Sequence, residues 1–382
     1  MPNKVDMPII NSPDPKGQSA LGSGEHSGLR KRQKVKNRRI KLRQIAITKT
    51  GAKGAFKIQN NTIPEPSENE VTIRVKNIGI NFAEVLARKG LYPDAPKVPF
   101  VPGWEISGIV IKTGKKVDTS MLGKPVFALT DYGGYADTVN VPIDQVVEKP
   151  EILSFEEAAS LIITYLGAYH LLVVMGALRK GESVLIQNAG GGVGLAALDI
   201  AKRIGAVTYG TASPWKHRFL KEKGYDHVVD YRSGNWMKAI LKQTDGKGVD
   251  LAIDAIGGRS WKNSYKMLRV NGRLGMYGTT SINSTSVGKL GFLKLLLQTP
   301  LFHPLGLIYA NKSVFGVHTE RALLDDSSKF GRWIAPILGG VSEGWIRPHV
   351  DKVFDFVDVS IAHAYVEARK NIGKIVLKVD SH

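Results

Sequence analysis

The stretch Ser183-Val184-Leu185-Ile186-Gln187-Asn188-Ala189-Gly190-Gly191-Gly192-Val193-Gly194 passes directly into the run LAALDIAKRIG that ends at Gly205. A short apolar run bounded by turn residues has the pattern of a buried strand, and the run after it has helical spacing. The turn between them reads AxGxxG across Ala189, Gly191 and Gly194, one residue short of the strict GxGxxG. In such a turn one glycine permits the sharp strand-to-helix reversal. A second lets the backbone approach a pyrophosphate, and a third packs the helix on the strand. The helix N-terminus then presents free N–H groups and positive dipole to phosphate. Within a βαβ unit this predicts a nucleotide site; the competing meaning is a glycine-rich turn with no ligand.

Working outward, AVTYG, DHVVDY, VDLAIDAIGG and GRLGMYG read as strands, separated by runs of helical spacing such as WKHRFLKEKG. Strands alternating with helices of this length predict an α/β region with a doubly wound parallel sheet. Upstream, LIITYLGAYHLLVVMGAL has helical spacing. From Ile40 to about Ser160 the texture is all-β and barrel-like, with VTIRVKNIGI, EISGIVI, KPVFALT and YADTVNVP as strands between prolines. After Lys312 come SVFGV, a helix from about Arg321 to Leu338, WIRPHVDKVFDF, another helix and GKIVLKV. The last strands match the first section in texture, which predicts a β domain interrupted by an α/β domain.

An NAD site usually carries Asp or Glu at the end of the second strand to hold the ribose 2′-OH. Here that strand ends Tyr209-Gly210-Thr211-Ala212-Ser213, and the first acid after it is Glu222. Small hydroxyl residues and Lys216 stand in the acid's place, so NADPH is favoured over NADH; Lys216 as a plain solvated helix residue is the alternative.

The 382 residues contain no cysteine, which excludes a disulfide framework, a Cys-ligated metal and a thiol nucleophile. Charge is uneven. The excess of 53 Lys+Arg over 34 Asp+Glu is +19, and residues 1–43 hold +8 of it. Residues 1–28 are rich in Pro, Gly and Ser without an apolar period, and a disordered basic tail over 1–40 is expected. The run LRKRQKVKNRRIKLR, carrying the basic residues of 30–43, is either an arm for nucleic acid or an anionic membrane, or a solvated leader. No aromatic residue interleaves it, so base stacking has no support. No secretory signal and no transmembrane segment is read, and a cytoplasmic protein is expected. The most apolar stretch, Leu290 to Tyr309, is broken by Lys294, Pro300, His303, Pro304 and Gly306. It is either a flap or lipid contact over a cleft, or a helix packed at a dimer or domain contact.

Three motifs together identify a resemblance. The run Gly181-Glu182-x2-Leu185-x3-Ala189-Gly190-Gly191-Gly192-x-Gly194-x7-Lys202 resembles the signature of the zinc-independent quinone oxidoreductase (zeta-crystallin-like) branch of the medium-chain dehydrogenase/reductase superfamily, with Asp199 in place of the usual Gln. Gly103-Trp104-Glu105-x2-Gly108-x5-Gly114-x2-Val117 has the spacing of the zinc alcohol dehydrogenase signature, but Trp104 stands where that signature has a zinc-binding His. Trp cannot ligate a metal, so no zinc is expected. Asn81-Phe82-x-Glu84-x3-Arg88-x-Gly90-Leu91-Tyr92-Pro93 resembles the segment that lines the family's active-site cleft, with Glu84 where Asp is usual. Within the branch the likeness is greatest to homologues of the synaptic-vesicle membrane protein, through Gly210-Thr211-Ala212-Ser213, the 290–309 stretch, Asn311-Lys312-Ser313-Val314-Phe315-Gly316 and Ile346-Arg347-Pro348-His349-Val350-Asp351.

The resemblance implies a GroES-like β-barrel catalytic domain over 41–163 and 318–382, interrupted by a Rossmann doubly wound parallel-sheet domain over 164–317. It implies an NADPH-dependent, zinc-free reductase of a quinone or α,β-unsaturated carbonyl substrate, working as a homodimer. Asn81 and Tyr92 would face the nicotinamide and the substrate carbonyl, where both can hydrogen-bond an oxygen that gains charge. The alternative is that Asn81 satisfies a turn and Tyr92 is packing. The resemblance assigns Ala189, Gly191, Gly192, Val193 and Gly194 to the pyrophosphate turn, and Thr211, Ser213, Lys216, Tyr231 and Arg369 to the ribose 2′-phosphate end. Gly257, Gly258 and Gly278 match loops that approach the ribose and nicotinamide, Asn371-Ile372-Gly373-Lys374 matches a C-terminal segment near the cofactor, and Phe315 is also expected at the cofactor. Gly167 replaces a Thr common in relatives. His170, His318 and His349 are expected to be structural. Two other functions remain open: a nucleotide-binding protein whose basic arm holds RNA or membrane with little turnover, and an enoyl-thioester reductase.

Overall fold

A computed structural model describes residues 40–51, 55–283 and 297–380. The basic tail and residues 290–296 of the apolar stretch lie outside the described residues.

β1 (Lys41–Ile47) and β2 (Phe56–Thr62) form an antiparallel pair. β3 (Glu70–Ile80) leads into α1 (Phe82–Arg88), and β4 (Glu105–Thr113), β5 (Pro125–Leu129), β6 (Thr138–Pro142) and β7 (Val146–Glu148) follow. Next come α2 (Phe155–Ala158), α3 (Ile162–Tyr169), β8 (Ser183–Ile186), α4 (Gly192–Ile204), β9 (Val207–Ala212), α5 (His217–Glu222) and β10 (His227–Asp230). The chain continues through α6 (Trp236–Gln243), β11 (Val249–Asp254), α7 (Arg259–Lys266), β12 (Leu268–Met276), α8 (Pro304–Ala310) and β13 (Ser313–Gly316). It ends with α9 (Thr319–Asp325), α10 (Ser328–Ser342), β14 (Val350–Asp355), α11 (Val359–Glu367) and β15 (Lys374–Lys378).

β8 to β13 form one parallel sheet in the order β10-β9-β8-β11-β12-β13. The order reverses between β8 and β11. In a doubly wound sheet the crevice at that switch, outside the carboxyl ends of the strands, is the ligand site. The strands are apolar on both faces because helices cover both. Val184 and Ile186 of β8 join the core formed with α3 and α4, while Leu185 faces the opposite core with Ile240 of α6. Tyr165 on α3 donates to Asp199 on α4 at 2.6 Å, and burial pushes the Asp199 carboxyl up to about 6. The Asp that departs from the family signature thus has a polar partner in the α3–α4 contact.

The second sheet has the order β14-β15-β3-β4-β5-β7, with β6 on β3. β15, from the end of the chain, pairs antiparallel with β3, so the last strands rejoin the sheet begun before residue 160. This is the GroES-like barrel beside the Rossmann-type sheet. Its core is built from Ile45, Val71, Ile73, Ile106, Val126 and Leu377, all fully buried.

Three local expectations are corrected. The 40–160 section is not all-β, because α1 sits inside it: Asn81 is the N-cap, and Glu84 three residues on accepts the Asn81 backbone N–H. Such a reciprocal box supports a short helix in a strand-rich context. The helix expected over 321–338 is two, α9 and α10. Asp326 breaks it by accepting the Ser328 N–H at 3.1 Å and taking its hydroxyl proton. The helical run after Leu161 changes from α to π geometry at His170–Met175.

Candidate active site

A cleft of about 1060 Å³ opens at the carboxyl ends of the parallel strands and is walled on its other side by the barrel. Gly373 N–H donates to the Gly190 carbonyl at 2.9 Å, which ties the glycine turn to the approach of β15.

The turn is held by backbone geometry. Asn188 lies in the left-handed region at φ +57°, and Gly191 caps α4 in an extended conformation. A Cβ on Gly194 would lie 2.6 Å from the carbonyl oxygens of both Asn188 and Ala189, so only glycine lets the helix start that close to the strand. A Cβ on Gly190 would meet Lys216 Cδ at 2.8 Å. Gly191, Gly192 and Val193 line the cleft, and the first N–H groups of the 13-residue α4 have no acceptor within the helix. Ala189 and Gly194 stand behind the cleft wall, Ala189 fully buried.

Thr211, Ser213, Lys216, Tyr231, Arg369, Asn371 and Gly278 line the same cleft. Thr211 is buried and its hydroxyl donates a hydrogen bond to Gln187 Oε1 at 2.6 Å. Ser213 Oγ is 3.5 Å from the Tyr231 hydroxyl. Lys216 Nζ donates to the Asn371 carbonyl at 2.5 Å, and burial, with Arg369 adding repulsion and Asp351 opposing, lowers its ammonium to about 8. Two of its three N–H bonds remain for another acceptor. No carboxylate follows β9 before Glu222.

Besides Ala189 and Gly194, the assigned Phe315, Gly257 and Gly258 do not line the cleft. Phe315 turns into the protein and packs on the core, where a Cβ on Gly275 would lie 2.7 Å from its ring; the neighbouring Gly316 and Val317 reach the cleft instead. Gly257 serves the backbone, with φ +88° and Thr279 Cα only 3.2 Å from where its Cβ would be.

Asn81 is held by charges. Its Oδ1 accepts from Lys374 Nζ, and its Nδ2 donates to Glu105 Oε1 at 3.2 Å. Lys374 and Glu105 are buried and paired at 2.5 Å, and Glu105 also accepts the Ile163 N–H at 3.1 Å. Burial pushes the Glu84 carboxyl up to about 8, against the opposing pull of Lys374 and Asn81. The motif spacing gave no sign of this buried cluster, because Lys374 lies 293 residues from Asn81 in the chain.

Around Tyr92 the rings of Tyr92, Trp104 and Tyr132 form a tilted array, with centroids 5.5 Å and 5.0 Å apart. The Tyr92 hydroxyl is 3.2 Å from both Glu320 Oε2 and His318 Nε2. Trp104 Nε1–H donates to the other Glu320 oxygen at 3.2 Å, so the residue at the zinc-ligand position binds a carboxylate. His318, expected to be structural, belongs to this cluster, whereas His170 packs on Trp333 and His349 on Phe219. Glu320 was not singled out in the sequence. A lone acid just after β13 carries no pattern, and only the fold brings it beside Tyr92.

The comparisons agree with this architecture. The alcohol dehydrogenase GroES-like domain family matches residues 67–151, and the zinc-binding dehydrogenase family matches residues 223–377. The synaptic vesicle membrane protein VAT-1 homolog of Rattus norvegicus is 35% identical over 341 residues, covering 88% of this chain and 84% of that protein. Quinone oxidoreductase-like protein 2 of Bos taurus is 31% identical, covering 83% and 87%. Among solved structures, the human VAT-1 homolog-like protein superposes with a TM-score of 0.77 at 28% identity over 90% of this chain and 99% of that one. A mycobacterial protein solved in complex with NADPH gives 0.77 at 27% identity, over 88% and 99%. This chain belongs to the medium-chain dehydrogenase/reductase family of nicotinamide-dependent oxidoreductases, in the quinone oxidoreductase-like branch beside the VAT-1 homologues.

Proposed function

We propose that this chain is an NADPH-dependent, zinc-free reductase that delivers hydride to a quinone or an α,β-unsaturated carbonyl acceptor. The observation that carries this is one cleft holding both a cationic and hydroxyl-lined pocket after β9, with no carboxylate there, and a Tyr92-centred hydrogen-bond cluster.

The glycine turn and the first turn of α4 would hold the pyrophosphate, and Lys216, Ser213, Tyr231 and Arg369 the 2′-phosphate. Bound reduced nicotinamide supplies the hydride. Asn81, fixed by Lys374 and Glu105, shapes the floor beside it. Tyr92 meets the acceptor oxygen, where an O–H donor matters most because charge develops there. Trp104 and the absence of cysteine speak for a mechanism without zinc. The exposed apolar side chains of Leu301, Leu305, Ile308 and Tyr309 next to the edge strand β13 support a homodimer. No described helix is long and apolar enough to cross a membrane.

The test is NADPH and NADH oxidation against quinones, enones and an enoyl thioester. NADPH is expected to be preferred. Lys216→Ala is expected to raise the KM for NADPH about 10- to 100-fold, the worth of a charged hydrogen bond, with little change for NADH. Because the Lys216 ammonium titrates near 8, NADPH preference should also fall above that pH in the wild type. Absence of turnover with every acceptor would sink the reductase assignment. Turnover confined to the thioester would move it to enoyl reduction.

A further inference from the structure

Reduction of a carbonyl-conjugated acceptor needs a proton as well as a hydride, and the Tyr92 cluster has a defined direction. His318 Nδ1 accepts the Arg321 backbone N–H at 3.2 Å, so a neutral His318 carries its proton on Nε2. That N–H faces Tyr92 Oη and Asp94 Oδ2, each at 3.2 Å. Tyr92 Oη then accepts from His318, and a single hydrogen bond of 3.2 Å joins it to Glu320 Oε2. With Nε2 on the phenol and Nδ1 on the Arg321 backbone, His318 orients Tyr92. Glu320 is different. One oxygen is held by Trp104 Nε1–H, the other is on Tyr92, and the side chain is half-buried, open enough to exchange with water.

We propose, resting on the reductase assignment above, that Glu320 is the proton reservoir that recharges Tyr92 during turnover. The hydride for the acceptor carbon would be supplied by the reduced cofactor, held by the glycine turn and Lys216 and oxidised in the exchange. The Tyr92 O–H bond breaks as its proton passes to the acceptor oxygen. The Glu320 carboxylic acid gives its proton to Tyr92 Oη, restoring the phenol, and the resulting carboxylate regains a proton from water. Burial favours the acid form of Glu320, and Asp131 adds to it; His318, Tyr92 and Trp104 oppose it. Asp94, paired with Arg321 at 2.7 Å, and Tyr132 are the other titratable groups in the cluster. Trp104, at the position of a zinc ligand in the related signature, fixes the reservoir.

The pH profile of kcat for quinone or enone reduction by the full chain tests this. Wild type should lose rate on the alkaline side as Glu320 ionises. Glu320→Gln keeps the shape and the Trp104 contact but cannot release a proton. Its kcat should fall about tenfold, within the range of general acid catalysis, and the alkaline limb should vanish. KM for NADPH should be unchanged, and Glu320→Asp should restore part of the rate and a limb. Difference infrared spectra of the unliganded protein, wild type minus Glu320→Gln, should show a carboxylic acid band that titrates with that limb. An unchanged rate and limb in Glu320→Gln, or no such band, overturns the reservoir while leaving the reductase assignment standing. No turnover by wild type with any acceptor overturns both.

Discussion

His363 is fully buried on α11, with Nε2 2.9 Å from the Tyr135 hydroxyl and no protein partner for Nδ1 among the described residues. Burial first, then the Arg88 charge, lowers its imidazole from 6.5 to about 3. The folded state therefore binds fewer protons than the unfolded one between those values. The stabilisation is full above about 6.5 and is lost as pH falls through the window, at no more than about 1.4 kcal/mol per pH unit for one proton. Urea unfolding at several pH values should show this as a shallower acid slope in His363→Gln than in wild type; equal slopes would place the titration elsewhere. The same comparison separates what residues alone reveal. Asn81 and Tyr92 were legible because they sit in one contiguous motif. Glu105, Lys374, His318 and Glu320 were not, since each acquires its role from a partner more than 20 residues away.

Elements were legible where periodicity was strong. β8, α4 and β9 follow the apolar pattern because both faces of the strand and one face of the helix are buried. α1 and the break between α9 and α10 escaped it, because single capping side chains decide them against the local pattern. Glycines divide the same way. Gly194→Ala places a Cβ 2.6 Å from two backbone carbonyls, and overpacking of that kind costs about 1–3 kcal/mol. Gly331, the fourth residue of α10, has nothing within 4 Å of its Cβ position, so Gly331→Ala should stabilise by about 0.5–1 kcal/mol. Denaturant midpoints check both signs, and cofactor titration should show weaker binding for Gly194→Ala alone.

At the scale of the whole molecule, the residues given roles in the cleft chemistry proposed here all lie between 80 and 375 in the chain. Removing residues 1–39 is expected to leave NADPH oxidation and the melting temperature within error of the full chain. If the tail is an arm for nucleic acid or anionic membrane, the same deletion should abolish a binding that weakens steeply with salt. Loss of turnover on deletion would tie the tail to the site. The sequence by itself determined the two sheet types, their interruption and the glycine turn, because strand and helix periods and a glycine turn are local features of the chain. The absence of cysteine was equally decided there. Only the tertiary structure decided what surrounds Asn81 and Tyr92 in the cleft. β15 returns from the end of the chain to set Lys374 against Glu105 and Asn81, and α9 follows β13 to set Glu320 and His318 against Tyr92. Buried charge and hydrogen-bond direction depend on which groups meet in a low-dielectric interior, and that meeting is a property of the fold rather than of any short stretch of sequence.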